Sequence, residues 1–283
     1  MSIKTVMVIG AGQMGGGIAQ VMAAAGLKTY INDMDMEIVN KRLSFIDGLL
    51  TKSISKGKIT QEQKDAAMQN LIPSAKLEDA SECDLVVEAI VENMEIKVKV
   101  FDRLDKIAKP DCLLASNTSS LPITEIAACT NRPEKVIGMH FMNPVPIMKL
   151  VEIIRGLATA DETYRAIHDL TLLLDKTPVE VRDVPGFISN RVLQMMINEA
   201  IYCLYEGVAT VEDIDTVMKL GMNHPMGPLQ LADFIGLDTV LAIMETLHEG
   251  YCDSKYRPAP LLRQYVKAGW LGKKVGRGFY KYD

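Results

Sequence analysis

The chain has no apolar run near the roughly 18 residues that a membrane-spanning helix needs, so no membrane partner is expected. Basic residues are not in excess. Lys and Arg number 31 against 36 Asp and Glu, a net charge of −5, which argues against a nucleic-acid binder. Cysteines are few and odd in number: Cys83, Cys112, Cys129, Cys203 and Cys252 are scattered, without the spacing of a metal site. Buried free thiols in a reducing compartment are expected, with no disulfides and no metal. The opening "MSIKTVMVIG" enters a strand pattern at once, without a charged leader, apolar core and cleavage site. The expected location is therefore cytoplasmic. Repeats and low-complexity linkers are also missing. Histidine is scarce, with four in all, so each can be weighed singly.

What is present is an ordinary globular balance, 48% apolar and 24% charged, over 283 residues. That length suggests two domains. Many of the 17 methionines sit in apolar helical patterns, as Met195 and Met196 do, where they fill gaps in a core.

The most informative segment is "KTVMVIGAGQMGGGIAQVMAAAGLKTYINDMD". Residues 5–9 are apolar and β-branched, as in a buried parallel strand. Gly10, Gly12 and Gly15 follow in G-x-G-x-x-G spacing, then Ile18, Val21, Met22 and Ala25 at helical spacing. A second strand, Leu27–Asn32, ends at Asp33. Strand, glycine turn, helix, strand and acid together form a dinucleotide fingerprint. Gly10 makes the tight turn, Gly12 lets the backbone approach a pyrophosphate, and Gly15 packs the helix against the strand. The helix N-terminus offers its unpaired N–H groups to the phosphates. Asp33 suits the adenosine ribose 2′-OH and would repel a 2′-phosphate. No arginine follows it closely, which favours NAD over NADP.

Residues 37–69 predict two helices joined near Gly57–Thr60, a hairpin inserted after the second strand, with Thr60 and Gln63 spaced as a capping box. Lys52, Lys56 and Lys58 cluster at its turn. They form either a solvated charged face or a clamp for a phosphorylated substrate tail.

"CDLVVEAIVENMEIKVKVFDRLD" predicts a strand over 84–88 and a helix to about 108. Glu88, Glu92 and Lys97 then fall around the strand's C-terminal end, the edge at which open α/β sheets bind ligands. "CLLASNTSSLPITEIA" predicts a strand over 112–116 and a turn made of Ser116, Asn117, Thr118, Ser119 and Ser120. These residues either cap the next helix or contact the nicotinamide and the reacting oxygen.

"KVIGMHF" is another apolar strand and ends at His140; "KLVEII" is its neighbour and carries Glu152. A short turn between the two strands can set His140 beside Glu152. A carboxylate on one imidazole nitrogen fixes the tautomer and raises the basicity of the other, which suits general-base work on an alcohol. His168, His224 and His248 lack such a partner in the pattern. Past Pro185–Gly186 the chain is almost wholly helical to Gly272, with Asn190 in the first turns of a long helix. The fold expected is α/β: a Rossmann-type domain over 1–184 with the helical hairpin inserted, then an all-α domain over 185–283 that serves substrate and dimerisation.

"VIGAGQMGGGIAQ", "LVVEAIVEN", "ASNTSSLPI", "GMHFMNPVPIMKLVEII", "DVPGFISNR", "GMNHPMGPLQLAD" and "GKKVGRGFYKY" together make the chain resemble the 3-hydroxyacyl-CoA dehydrogenase family, in particular its short bacterial 3-hydroxybutyryl-CoA members. The resemblance runs from Val6 to Tyr282. It implies an acyl-CoA substrate, NAD as cofactor, and a homodimer or higher homo-oligomer, with the substrate lying between two domains. It implies that His140 is the acid/base, that Glu152 orients it, and that Ser119 and Asn190 hydrogen-bond the substrate near the reacting carbon. Gly10, Ala11, Gly12, Gln13, Met14, Gly15, Asp33, Glu92, Lys97, Ser119, Asn143 and Lys274 match positions that contact NAD. Lys56, and less directly Lys52, match the coenzyme A side, together with Ser119. Leu49 stands where the family can have a CoA-contacting serine.

Overall fold

A computed structural model describes residues 3–282. The chain divides into two compact units, Met1–Asp183 and Val184–Asp283.

The first unit is built on one eight-stranded sheet. Its strands are β1 (Thr5–Ile9), β2 (Lys28–Asn32), β3 (Leu71–Ser74), β4 (Leu85–Glu88), β5 (Leu113–Ser116), β6 (Val136–Phe141), β7 (Leu150–Arg155) and β8 (Thr177–Arg182). Their spatial order is β3-β2-β1-β4-β5-β6-β7-β8. Every neighbouring pair is parallel except β6 and β7. The order reverses between β1 and β4, which opens a crevice beyond the C-terminal strand ends. The register brings those ends level: Ile9 pairs with Asn32 and with Glu88, and Glu88 with Ser116. Val6, Val8, Leu85, Val87 and Ala115 are buried in the core under this edge. Such strands, covered on both faces, read as unbroken apolar runs.

Helix α1 (Gln13–Ala24) follows β1, and α2 (Met36–Ser55) and α3 (Gln61–Asn70) form the hairpin after β2. The capping box of Thr60 and Gln63 is present at the start of α3. Helices α4 (Met94–Ile107), α5 (Ile123–Ala128) and α6 (Asp161–Leu173) complete the unit. The amphipathic α4 buries Phe101 and Leu104, each contributing roughly 1.5–3 kcal/mol by leaving water.

The second unit is helical: α7 (Ser189–Tyr205), α8 (Val211–Gly221), α9 (Pro228–Ile235), α10 (Leu237–Tyr251) and α11 (Pro260–Lys267). Ile197, Ile201, Leu229, Val240 and Leu262 form its core. Two buried acids fasten its C-terminal segment. Asp233 accepts from the Phe279 and Tyr280 backbone N–H groups, and Asp215 accepts from the Tyr280 hydroxyl. Among the described residues no helix is long and apolar enough to cross a membrane. Cys83 and Cys112 are buried, and burial pushes both thiols up to about 12, so neither is a thiolate at neutral pH. Cys252 departs from the expectation of buried thiols, for it is exposed just past α10.

Candidate active site

The glycine loop is built as a cradle. Gly10 has φ +99, and a Cβ there would lie 2.5 Å from the Ala89 carbonyl oxygen. A Cβ on Gly15 would sit 1.8 Å from the Gly10 carbonyl oxygen, so α1 approaches the loop as closely as backbone allows. At Gly12 nothing lies within 4 Å of the same position, leaving open space in front of the first helical N–H groups. No acidic side chain occupies the first turn of α1. An open, uncapped, glycine-lined helix start fits the pyrophosphate of a dinucleotide. The Ala11 peptide is anchored on both sides: its N–H donates to Asp33 Oδ2 at 2.8 Å, and its carbonyl accepts from Arg42 Nε at 2.9 Å. Met14 is half-buried in the first turn of α1 and packs against the core. Arg42 is the arginine that proximity in sequence does not find. It comes from the second turn of α2, and the hairpin folds it back onto the loop.

Beyond β4 and β5 lies a second cluster. Glu88 is fully buried. Its Oε1 accepts from Lys97 Nζ at 2.6 Å and from the Ile90 N–H at 2.8 Å, and its Oε2 accepts from Ser116 Oγ at 2.6 Å. Lys97, itself buried, also pairs with Glu92 Oε2 at 3.3 Å. Glu92 Oε1 accepts from Thr118 Oγ1 at 2.5 Å and from the Ser119 and Ser120 backbone N–H groups at 3.0 and 3.2 Å. Partial burial pushes the Glu92 carboxyl up. The Lys97 charge and the Thr118 and Ser119 hydrogen bonds outweigh this and hold it below the ordinary glutamate range. The loop from Ser116 to Ser120 is thus fixed from below by acids, beyond simple helix capping.

The same loop reaches β6. Asn117 Oδ1 accepts from the Phe141 N–H at 2.9 Å, one residue past His140. In the antiparallel register His140 stands directly opposite Glu152. His140 Nδ1 and Glu152 Oε2 are 2.8 Å apart, and both residues are buried. With Nδ1–H given to the carboxylate, Nε2 is the basic nitrogen of the ring.

Asn143 follows on the turn after β6, where its Oδ1 accepts from Gln13 Nε2 at 3.0 Å. Lys176, buried just before β8, donates from Nζ to the carbonyls of Val145 and Met148 at 2.6 and 2.7 Å and so holds this turn in place. Burial and the nearby Lys149 charge push the Lys176 ammonium below its usual range, against a smaller opposing pull from Asp175. Sequence pattern offers no signal for Lys176, since its acceptors are backbone carbonyls about thirty residues upstream.

A cavity of about 1080 Å³ runs along α2. Gly12, Gln13 and Asn143 line one end, and Leu49, Lys52 and Lys56 line the hairpin side. Lys52, Lys56 and Lys58 are exposed, and their ammonium groups have no ion-pair partner among the described residues. Ser53, one helical turn past Leu49, also lines the cavity, with its hydroxyl donating to the Leu49 carbonyl at 3.0 Å. Two expected site residues belong to the second unit. Asn190 lies in the first turn of α7, after Gly186 and Phe187 at φ +74 and +51. Lys274 Nζ bonds both carboxylate oxygens of Asp238 at 2.6 Å.

Residues 5–184 match the 3-hydroxyacyl-CoA dehydrogenase NAD-binding domain, and residues 186–282 match the C-terminal domain of the same family. The chain belongs to the 3-hydroxyacyl-CoA dehydrogenase family. It is 55% identical over 280 residues to the 3-hydroxybutyryl-CoA dehydrogenase of Bradyrhizobium diazoefficiens, covering 99% of this chain and 96% of the relative. It is 44% identical over 288 residues to human mitochondrial hydroxyacyl-coenzyme A dehydrogenase, covering 99% and 91%. The crystal structure of (S)-3-hydroxybutyryl-CoA dehydrogenase from Ralstonia eutropha matches with a TM-score of 0.98 at 48% identity, over 100% of both chains. Family and cradle agree on NAD as the cofactor.

Proposed function

We propose that this NAD-dependent member of the 3-hydroxyacyl-CoA dehydrogenase family interconverts short-chain L-3-hydroxyacyl-CoA and 3-ketoacyl-CoA, with 3-hydroxybutyryl-CoA and acetoacetyl-CoA as its pair. The observation that carries the chemistry is the 2.8 Å contact between His140 Nδ1 and Glu152 Oε2. His140 Nε2 takes the proton of the 3-hydroxyl group as the bond from C3 to hydrogen breaks. Bound NAD supplies the hydride acceptor. In the reverse direction protonated His140 returns the proton to the forming alkoxide oxygen, and Glu152 stabilises the imidazolium in both directions.

Ser119, on the loop held by Glu92, and Asn190, at the start of α7, hydrogen-bond the substrate near the reacting carbon. Gly10 to Gly15 hold the pyrophosphate of the dinucleotide and Asp33 its adenosine ribose, and Glu92, Lys97, Asn143 and Lys274 assist its binding. Lys56, with Lys52 beside it, draws the phosphates of coenzyme A to the hairpin as exposed point charges. Holding donor and acceptor in register supplies much of the rate.

The protein is proposed to work in the cytoplasm as a homodimer or higher homo-oligomer. Support for self-association comes from the second unit, where an apolar cavity of about 400 Å³ between α7 and α8 adjoins exposed Val208 and Val217. Light scattering that gives the mass of one chain would overturn this.

The test of the activity is NADH absorbance after adding acetoacetyl-CoA, with NADPH in parallel. Fast loss of NADH and little loss of NADPH is expected. No loss of either, in folded protein that binds NADH, would overturn the short-chain substrate. Competition by free coenzyme A separates an acyl-CoA substrate from a hydroxy acid or polyol.

A further inference from the structure

The side chains beyond β4 and β5 close into a ring. It runs from Glu88 to Ser116, through the Ser116 hydroxyl to the Thr118 N–H at 3.2 Å, from Thr118 to Glu92, from Glu92 to Lys97, and back to Glu88. Two features set it apart from a helix cap. Glu88 and Lys97 are almost wholly buried, so their charges cannot be answered by water. The formal charges also do not cancel, since two carboxylates share one ammonium and leave one negative charge at the sheet edge.

The topology says what faces that charge. The pyrophosphate cradle stands at the end of β1, and the acid/base pair at the ends of β6 and β7. Strands β4 and β5 lie between them. A dinucleotide whose phosphates rest on the β1 loop and whose reacting ring meets a substrate carbon served by His140 must pass its nicotinamide half over β4 and β5. Oxidised nicotinamide carries a positive charge, and the reduced ring carries none.

We propose that Glu88 is a positioning residue of this dehydrogenase, and that the ring it closes has two effects: it fixes the Ser119 loop, and its uncancelled charge favours NAD+ over NADH. This rests on the family's cofactor and on the place of His140, and it concerns a residue outside the set expected to touch either ligand. The two effects separate by substitution. Glu88→Gln keeps the shape and removes the net charge. Glu92→Gln removes the same charge from the solvent side, where the side chain is 38% exposed. Any ribose contact of Glu92 is common to both cofactor forms and cancels in their ratio. Ser116→Ala opens the ring and leaves its charge intact.

The experiment measures Kd for NADH by fluorescence titration and for NAD+ by competition, along with kcat and KM, in the full-length protein and the three variants. In both Gln variants Kd(NAD+)/Kd(NADH) is expected to rise about tenfold, the scale of one unit charge acting across a partly buried site. Ser116→Ala is expected to lower kcat several-fold with that ratio unchanged. A ratio within twofold of wild type in a folded Gln variant overturns the charge effect, and Glu92→Gln alone decides it if Glu88→Gln does not fold. Wild-type kcat in Ser116→Ala overturns the positioning effect. Failure of the wild-type protein to bind either cofactor form would instead strike at the cofactor assignment itself.

Discussion

Two parts of the first unit hold their charged side chains in opposite ways, and the proposed function gives each a different task. At the sheet edge, Glu88, Lys97, His140 and Glu152 are buried and each is tied to a partner side chain within 2.8 Å. On the hairpin, Lys52, Lys56 and Lys58 stand exposed along a large cavity. The chemistry explains the difference. A proton transfer needs a defined tautomer and a fixed oxygen, and a buried pair supplies both because misalignment in low dielectric is costly. A phosphate tail needs only opposite charge within reach, which flexible, solvated lysines supply cheaply. Loss of a pinned residue should therefore lower turnover, whereas loss of an exposed lysine should raise KM.

The largest expected effect is at the pinned end. His140→Gln should lower kcat roughly 10²–10⁴-fold, with NAD binding retained by titration. Near-full turnover with NAD bound would erase the division between the two regions. Asp33→Ala comes next. It removes the acceptor of the Ala11 N–H and the proposed partner of the ribose, so NAD affinity should fall about tenfold. Preference for NADH over NADPH should relax with it, and unchanged Kd values for both would remove Asp33 from the cofactor site.

How far the sequence shows this site depends on the range of each interaction. The glycine loop is local, and its strand-turn-helix order is written in consecutive residues. The His140–Glu152 pair is nearly local, since it lies on two strands consecutive in sequence that pair antiparallel, although their unbroken apolar pattern does not by itself set the register. Lys176, Arg42 and Ser116 are different. Each acts on a partner brought near only by sheet order or by the fold of the hairpin, and their own neighbours in sequence carry no trace of it. Glu88 was visible as an acid at a strand end, but not as a fully buried one. Burial at the C-terminal end of a central strand is set by the loops that close over it.

At the hairpin the expected effects are smaller. Lys56→Ala should raise KM for acetoacetyl-CoA about fivefold with kcat unchanged, and the difference should fade in high salt, as it does for exposed charges. An unchanged KM at low salt would return the lysines to a purely solvated face. The smallest effect concerns stability in acid. The Glu92 carboxyl is held below its ordinary value of 4.5. Its stabilisation is therefore present above that value and is lost as pH falls through the folded one. The Tm difference between wild type and Glu92→Gln should be larger near about pH 6 than near about pH 3.5. A difference independent of pH would mean that the Lys97 and loop contacts do not depend on the charge of Glu92.

Most directly at issue is whether Glu152 acts only through His140. The measurement is kcat for Glu152→Gln, His140→Gln and the double variant, each shown to be folded and to bind NAD. Residues that work as one unit are strongly non-additive. The double variant should then be no slower than His140→Gln alone, although Glu152→Gln by itself costs about 10²-fold or more. If the two losses multiply in the double variant, Glu152 has a role of its own and the pair is not the unit that moves the proton.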